Sequence, residues 1–348
     1  MNLHVPQSEQ TQNEIKMLAA VSTQIISPRE SKPIVSVVQD VTLGIYRITK
    51  DDIRVSEKQL FNLLVTNTRF NGIIPEPIES NGDVRLWSGK QVLSTILPPT
   101  VNIKMANSQY DSDKEGDHKK NMVIVERGII KQGTFDKTIY QTRTGGLIHS
   151  VYNENGQEET RHLFDNTQKL ICNWLVQSGF SVGVSDLIVE QETKNEMNTV
   201  IANMKNEVYN IMKQIHEGTF ENKSIRTNND FFEQEVNNLL NEAINKVGKI
   251  GLKNIEDDNR MINMIKSGSK GKAINIAQMI SSLGQQNVDG KRITYGFDDR
   301  TLPHYTKYDD GPEARGFVES SFIEGLSASE FMLHAIAGKL FSARKREQ

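Results

Sequence analysis

The chain has 348 residues, with 41 Lys and Arg against 44 Asp and Glu, a formal net charge of −3, and 36% hydrophobic residues. That length has room for two or three ordinary domains with sizeable cores. A net charge so near zero excludes a global basic field as the means of drawing in nucleic acid, while leaving a local basic channel open. The single cysteine, Cys172, excludes an internal disulfide and any cysteine-based zinc site. Near Ile171 and Trp174 it reads as a small buried apolar residue in a protein of a reducing compartment. No apolar run approaches the ~20 residues of a membrane span. The first ten residues have neither the basic start nor the apolar stretch of a signal peptide, so an intracellular protein is expected.

In chain order, Ser8 is placed to cap a helix carrying Ile15, Met17, Leu18 and Ala19 on its inner side. A turn follows between Ser27-Pro28 and Lys32-Pro33, then an apolar stretch over residues 34–48. Residues 51–146 are more β-like, broken into short elements by Gly72, Pro75, Pro77, Asn81-Gly82 and Pro98-Pro99. Residues 101–105 and 121–130 alternate as strands do. Between them, the wholly polar residues 107–120 read as a mobile loop.

From Glu159 the period becomes helical, with Leu163, Leu170, Ile171, Trp174 and Leu175 in one long helix that ends at Gly179. Two amphipathic stretches come next. Ile201, Met204, Val208, Ile211 and Ile215 mark the inner face of the first, which Gly218 ends. Phe232, Val236, Leu239, Ala243 and Val247 mark the second. The spacing predicts an antiparallel helical hairpin with polar outer faces, which is scaffold and not chemistry.

Several catalytic patterns fail. A phosphate-binding P-loop ending at Gly271-Lys272 needs glycine and a hydroxyl where the chain has Lys266 and Ala273. The seven histidines, from His4 to His334, form no i, i+4 pair and no His-Cys group, so no zinc site is expected. Asp298-Asp299 and Asp309-Asp310 read as solvated turn acids in preference to a metal pair, and no Ser-His-Asp set stands out. Residues 268–292 are unusual: Ile276, Met279, Ile280 and Leu283 lie among the amides Asn275, Gln278, Gln285 and Gln286. Such a helix is either a solvent-facing surface or the wall of a wet cavity. Lys270, between Gly268 and Gly271 just ahead of it, is either an anion contact or a solvated lysine.

A series of motifs then points to one family. Residues 1–8, Met-Asn-Leu-His-Val-Pro-Gln-Ser, are followed by Val38-Gln39-Asp40 with Gly44-Ile45, and by Leu86-Trp87-Ser88-Gly89-Lys90-Gln91. Gly145-Gly146-Leu147-Ile148-His149 and Asn173-Trp174-Leu175 with Gly179-Phe180-Ser181 come next. The strongest block is Gly268-Ser269-Lys270-Gly271 with Ile274-Asn275-Ile276-Ala277-Gln278-Met279, then Gly284-Gln285-Gln286, Gly290-Lys291-Arg292 and Asp299-Arg300-Thr301-Leu302-Pro303-His304. Gly316-Phe317-Val318-Glu319-Ser320 and residues 326–334 close the series. In this order they resemble the largest subunit of eukaryotic-type, multisubunit DNA-directed RNA polymerases, of the RNA polymerase II branch. The Asn, Ile and Lys bias is similar to versions carried by large DNA viruses or divergent protists.

The resemblance implies an α+β fold, with a mixed α/β pore domain followed by a mainly α-helical funnel domain with a long helical hairpin. Residues 1–35 would end the active-site domain, 36–187 form the pore domain and 188–316 the funnel domain. Residues 317–339 would lead into the bridge helix and cleft, and 340–348 are a divergent tail. The family's Asn-Ala-Asp-Phe-Asp-Gly-Asp-Glu loop, whose aspartates hold catalytic Mg2+, precedes the first residue here, so no metal ligand is expected in this chain. After Gly338 the family continues Arg-Glu-Gly-Leu-Ile-Asp-Thr-Ala, whereas residues 340–348 do not match.

By resemblance, Lys270 is the substrate-phosphate contact, and Asn275 and Gln278 belong to the active-centre wall, as orienting residues or as core-satisfying amides. Gln285, Gln286 and His334 line the pocket between funnel and bridge helix. The implied partners are the other polymerase subunits, the second-largest especially, with DNA template, RNA, nucleoside triphosphates and a transcript-cleavage factor at the funnel. The implied setting is the nucleus for a cellular protein, or the virion or virus factory for a viral one. The isolated chain is expected to make no RNA. The alternative is a non-catalytic remnant or split-gene product that acts only as a polymerase-associated binding module.

Overall fold

A computed structural model of the protein describes residues 2–82, 84–111, 117–222, 225, 227–255 and 258–347. Met1 of the first motif, residues 112–116 of the expected loop and Gln348 of the tail lie outside the described residues. The fold is α+β, with helices and five small antiparallel sheets. It divides into two compact units, Met1–Ser181 with Asn263–Gly271, and Val182–Ile262 with Lys272–Gln348.

The first unit opens with α1 (Glu9–Leu18), where the Ser8 hydroxyl accepts from the Thr11 N–H at 3.2 Å as expected of an N-cap. Its expected inner side is not covered: no residue of α1 is buried, and Met17 is 70% exposed. The period gave the helix correctly, but among the described residues no counter-surface covers its apolar face. The hairpin β1 (Ile26–Ser27) and β2 (Lys32–Pro33) leads to α2 (Asp40–Ile48), which is buried on nearly every side.

Next come β3 (Arg54–Ser56), α3 (Glu57–Leu64), β4 (Glu79–Asn81), β5 (Val84–Ser88) and α4 (Gly89–Ser94), with the strands ordered β3-β5-β4. The Leu86–Gln91 motif now has a physical explanation. Trp87 is buried and its indole N–H donates to the Pro75 carbonyl at 2.7 Å. Ser88 and Gln91 cap the start of α4 reciprocally, each satisfying the other's backbone N–H. Gly89 lies so close to α2 that a Cβ would stand 2.0 Å from the Ile48 carbonyl oxygen.

A second sheet contains β6 (Ile103–Ala106), β7 (Met122–Glu126) and β8 (Ile129–Gln132), in that order, with α5 (Asp117–Asn121) between the first two. Where residues 107–120 were expected to form a mobile loop, the described ends are held. Asn107 is buried and its side-chain amide donates to Asn121 Oδ1 and the Thr134 carbonyl, each at 3.1 Å. Polar composition concealed these bonds, because buried amides satisfy one another.

Helix α6 (Leu147–Ser178) starts about three turns before Glu159. Gly156, at φ +82°, interrupts it, which is why the helical period becomes legible only beyond that point. Gly179 ends it as expected. Leu163, Leu170, Ile171 and Trp174 join Val41, Ile45, Trp87 and Leu93 in one core. Cys172 is half-buried at the margin of that core, and not fully buried, because it lies one position off the inner stripe.

In the second unit, α7 (Gln191–His216) and α8 (Asn228–Asn254) pack along each other as the expected hairpin. The buried stripe of α7 is Met197, Ile201, Met204 and Val208; Ile211 and Ile215 fall towards its exposed end. On α8 the inner residue is Leu240 and not Leu239, alongside Phe232, Val236, Ala243, Ile244 and Val247. The chain continues through α9 (Arg260–Ser267) and α10 (Ala273–Ile280), the latter packed on α8. Four two-residue strands follow, β9 (Gly284–Gln285), β10 (Asn287–Val288), β11 (Lys291–Arg292) and β12 (Phe317–Val318). They pair β9 with β12 and β10 with β11. The last element, α11 (Ala328–Glu347), carries helix through the residues that depart from the family sequence.

The Gly89 contact yields a test. Gly89→Ala is expected to lower the stability of the first unit by about 1–3 kcal/mol, the range for forcing atoms into a filled site. Urea denaturation followed by the fluorescence of Trp87 and Trp174, both in that unit, measures it.

Candidate functional site

Lys270 belongs to the first unit, on the turn that follows α9. The Ser267 hydroxyl donates to the Met264 carbonyl at 2.9 Å and to Ser269 Oγ at 3.1 Å, tying the end of the helix to the turn. Gly268 and Gly271 flank the lysine at φ +75° and +81°, conformations that glycine adopts without strain. A Cβ on Gly268 would meet Lys137 Cβ at 2.7 Å, so the turn lies against that residue. Lys270 itself is exposed and forms no ion pair among the described residues. A hydrogen-bonded turn therefore presents an exposed ammonium group.

The other residues singled out in the sequence are in the second unit. Asn275 is exposed, and its side-chain oxygen accepts the Lys272 N–H at 2.7 Å, closing the first turn of α10. The Gln278 carbonyl accepts from the Phe322 N–H at 3.2 Å. Gln285 is buried, and its amide donates to the carbonyls of Gln286 at 2.8 Å and Arg315 at 2.9 Å. Gln286 Nε2 donates to the Gly284 carbonyl at 3.2 Å, which turns its Oε1 towards His334 Nδ1 at 2.9 Å. That contact is a hydrogen bond only when Nδ1 carries the proton. The Phe322 ring meets the imidazole edge-on at 6.0 Å between centroids. Gln285, Gln286 and His334 are thus brought together, and Phe322 connects them to Gln278.

The sequence reading missed a charged network in the same unit. Arg292, with no exposed surface, donates through Nε and Nη2 to both oxygens of Glu233 at 2.9 Å, and through Nη1 to the Asp310 carbonyl at 2.9 Å. Arg315 reaches Glu233 Oε1 at 3.1 Å and Asp310 Oδ1 at 2.8 Å, and its guanidinium lies 4.6 Å from the centre of the Tyr295 ring. The Tyr295 hydroxyl also donates to Asp310 at 2.6 Å; burial and this carboxylate push its pKa up to about 12. Asp310, read from sequence as a solvated turn acid, is a structural partner of Arg315 and Tyr295. These residues line an open cavity of about 910 Å³ together with Asn237, Asn238 and Lys291. Their sequence separations hide the network: the Gly290-Lys291-Arg292 motif marked Arg292, and Asp310 was noticed only as a turn acid.

Two further carboxylate arrangements hold the segment before α11. Lys205 on α7 bonds Glu313 at 2.6 Å and Glu319 at 2.8 Å. Burial alone would lower the lysine pKa, but the two hydrogen-bonded carboxylates outweigh it and hold the pKa above the ordinary lysine value. Glu330 accepts the N–H groups of Glu319 and Ser320 at 3.0 Å and of Ser327 at 2.9 Å, with the Ser320 hydroxyl at 2.8 Å. Against burial, which raises its pKa, these donors hold it below the usual carboxylate range. Among the described residues no three His, Cys, Asp or Glu side chains converge on a metal position, and no helix is long and apolar enough to cross a membrane.

Residues 24–187 match the family described as RNA polymerase Rpb1, domain 3, and residues 211–318 match RNA polymerase Rpb1, domain 4. Two successive domains of one polymerase subunit therefore lie in order along the chain. The chain belongs to the Rpb1 family, the largest subunits of DNA-directed RNA polymerase, which assemble with other polymerase subunits.

Arg292→Met is expected to destabilise the second unit by about 3–5 kcal/mol, because Glu233 is left with a poorly compensated charge. Replacing both residues by apolar side chains of similar volume should recover most of that loss. Denaturation followed by circular dichroism distinguishes the two results.

Proposed function

We propose that this chain forms pore, funnel and active-centre wall in the largest subunit of a DNA-directed RNA polymerase, and so takes part in templated RNA synthesis from nucleoside triphosphates. The observation that carries the reading is the match to two successive Rpb1 domains. In this reading Lys270 contacts the incoming nucleotide's phosphates. Its exposure, its freedom from ion pairs among the described residues and its glycine-flanked turn support that role. An ammonium group acts on a phosphate as a point charge and tolerates movement of the substrate.

Asn275 and Gln278 stand on the wall, with Asn275 also closing the first turn of α10. Gln285, Gln286 and His334 form the pocket between funnel and bridge helix, and the α7–α8 hairpin forms the funnel rim. Partners in this reading are the second-largest subunit, template DNA, RNA and a transcript-cleavage factor at the funnel. The setting is the nucleus for a cellular enzyme or a virus factory for a viral one. Mg2+ is implied for the complete enzyme, but the described residues provide no ligand set for it. In this reading the contribution of this chain is positional and electrostatic.

In a reconstituted polymerase carrying this sequence, Lys270→Ala is expected to raise KM for nucleoside triphosphates by about 10-fold or more, the loss of one charge-assisted contact. Lys270→Arg should retain most of the affinity. An unchanged KM in the alanine variant would remove Lys270 from the substrate path.

A further inference from the structure

Strand β2 outlasts its partner. Ile26 faces Pro33 and Ser27 faces Lys32 in the β1–β2 ladder, and the Ile34 N–H still donates to the Ile25 carbonyl at 2.9 Å. Beyond Ile25 the partner turns away, because Val21–Gln24 forms a 3-10 helix. Residues 34–38, Ile-Val-Ser-Val-Val, continue alone.

Ile34 and Val38 are 62% and 60% exposed, Val37 is 5% exposed, Val35 packs against the core and Ser36 is half-buried, so the outward positions 34 and 38 bracket inward ones as in an extended segment. Alternate residues of a strand aim their backbone groups at opposite edges. On one edge the Val37 carbonyl accepts from Gln141 Nε2 and, at 3.3 Å, from the Thr42 hydroxyl. On the other, which Ile34 shares with Ile25, the Ser36 N–H and C=O have no hydrogen-bond partner among the described residues.

That edge opens on a groove of about 510 Å³ lined by Val21, Ile25, Val35, Val38 and Phe164, with Arg161 at its rim. Arg161 is already paired with Glu158 at 3.0 Å and Asp165 at 3.4 Å, so the rim offers no free cation to a phosphate chain. An apolar trough beside unpaired backbone groups of a β-branched segment suits a polypeptide strand, whose main chain supplies the missing hydrogen bonds and whose alternate side chains fill the trough.

We propose that residues 34–38 accept an extended polypeptide segment of the assembled polymerase as an added β-strand, apolar at alternate positions. The proposal rests on membership in a multisubunit enzyme and is independent of the role of Lys270. Hydrogen–deuterium exchange on the assembled polymerase and on the purified chain tests it. The Ser36 and Val38 amides are expected to exchange on the order of 100-fold more slowly in the polymerase. Equal rates in the two samples would overturn the proposal. So would protection in the purified chain that rises with its own concentration, which would mean pairing between copies. As a second arm, Ser36→Pro removes the free donor and should reduce recovery of the chain in the polymerase by about 10-fold relative to Ser36→Thr. Equal recovery of the two variants would also overturn it.

Discussion

A guanidinium removed from water must find its charge and its hydrogen bonds within the protein, and Arg292 finds both in Glu233 and the Asp310 carbonyl. Desolvating such a pair is costly, and only good geometry with further hydrogen bonds offsets the cost. Here the geometry is bidentate, and Arg315, Asp310 and Tyr295 extend it to two cations against two carboxylates with a phenol between. The consequence is positional. Glu233 lies on α8 and Arg292 on β11, so the network fixes the strands of residues 284–318 to the helical hairpin. Those strands in turn hold Gln285 and Gln286, and through Gln286 the first turns of α11 at His334.

Such a network also explains why an amide-rich segment packs in the way it does. Gln285 and Gln286 use their side chains on neighbouring carbonyls and on His334. Glu330, one turn earlier on α11, binds the backbone of Glu319, Ser320 and Ser327. Polar side chains therefore do here what apolar packing does in the first unit. They hold elements in place, and several buried polar atoms, Gln285 Oε1, Asn287 Oδ1 and Arg315 Nε among them, have no partner among the described residues. The polar cavity beside the network follows from the same composition.

Much of this was legible in the sequence where local chemistry decides structure. The Ser8 cap, the hairpin helices and the stop at Gly179 all follow from short-range rules. Where two distant segments meet, local rules were silent or wrong. Gly156 hid the first turns of α6, and the buried bonds of Asn107 hold an end of residues 107–120 that composition read as open loop. Asp310 looked solvated because its partners are Arg315 and Tyr295, which no periodicity connects to it. Lys270, Gln286 and His334 were reached through motifs and not through spacing. The structure adds their surroundings: a free lysine on a fixed turn, and an imidazole whose Nδ1 proton is set by a glutamine. The open apolar face of α1 and the exposed Ile34 and Val38 beyond β2 are apolar surfaces of the kind that mark interaction sites.

The proposed contact of Lys270 with substrate is most directly tested by photo-crosslinking. A nucleoside triphosphate with a photoreactive group on its γ-phosphate is bound to the assembled polymerase, irradiated, and the label mapped by mass spectrometry. The expected result is label in the peptide that carries Lys270, suppressed by excess unmodified nucleotide. Label absent from this chain, or confined to segments remote from residues 268–272, would contradict the assignment.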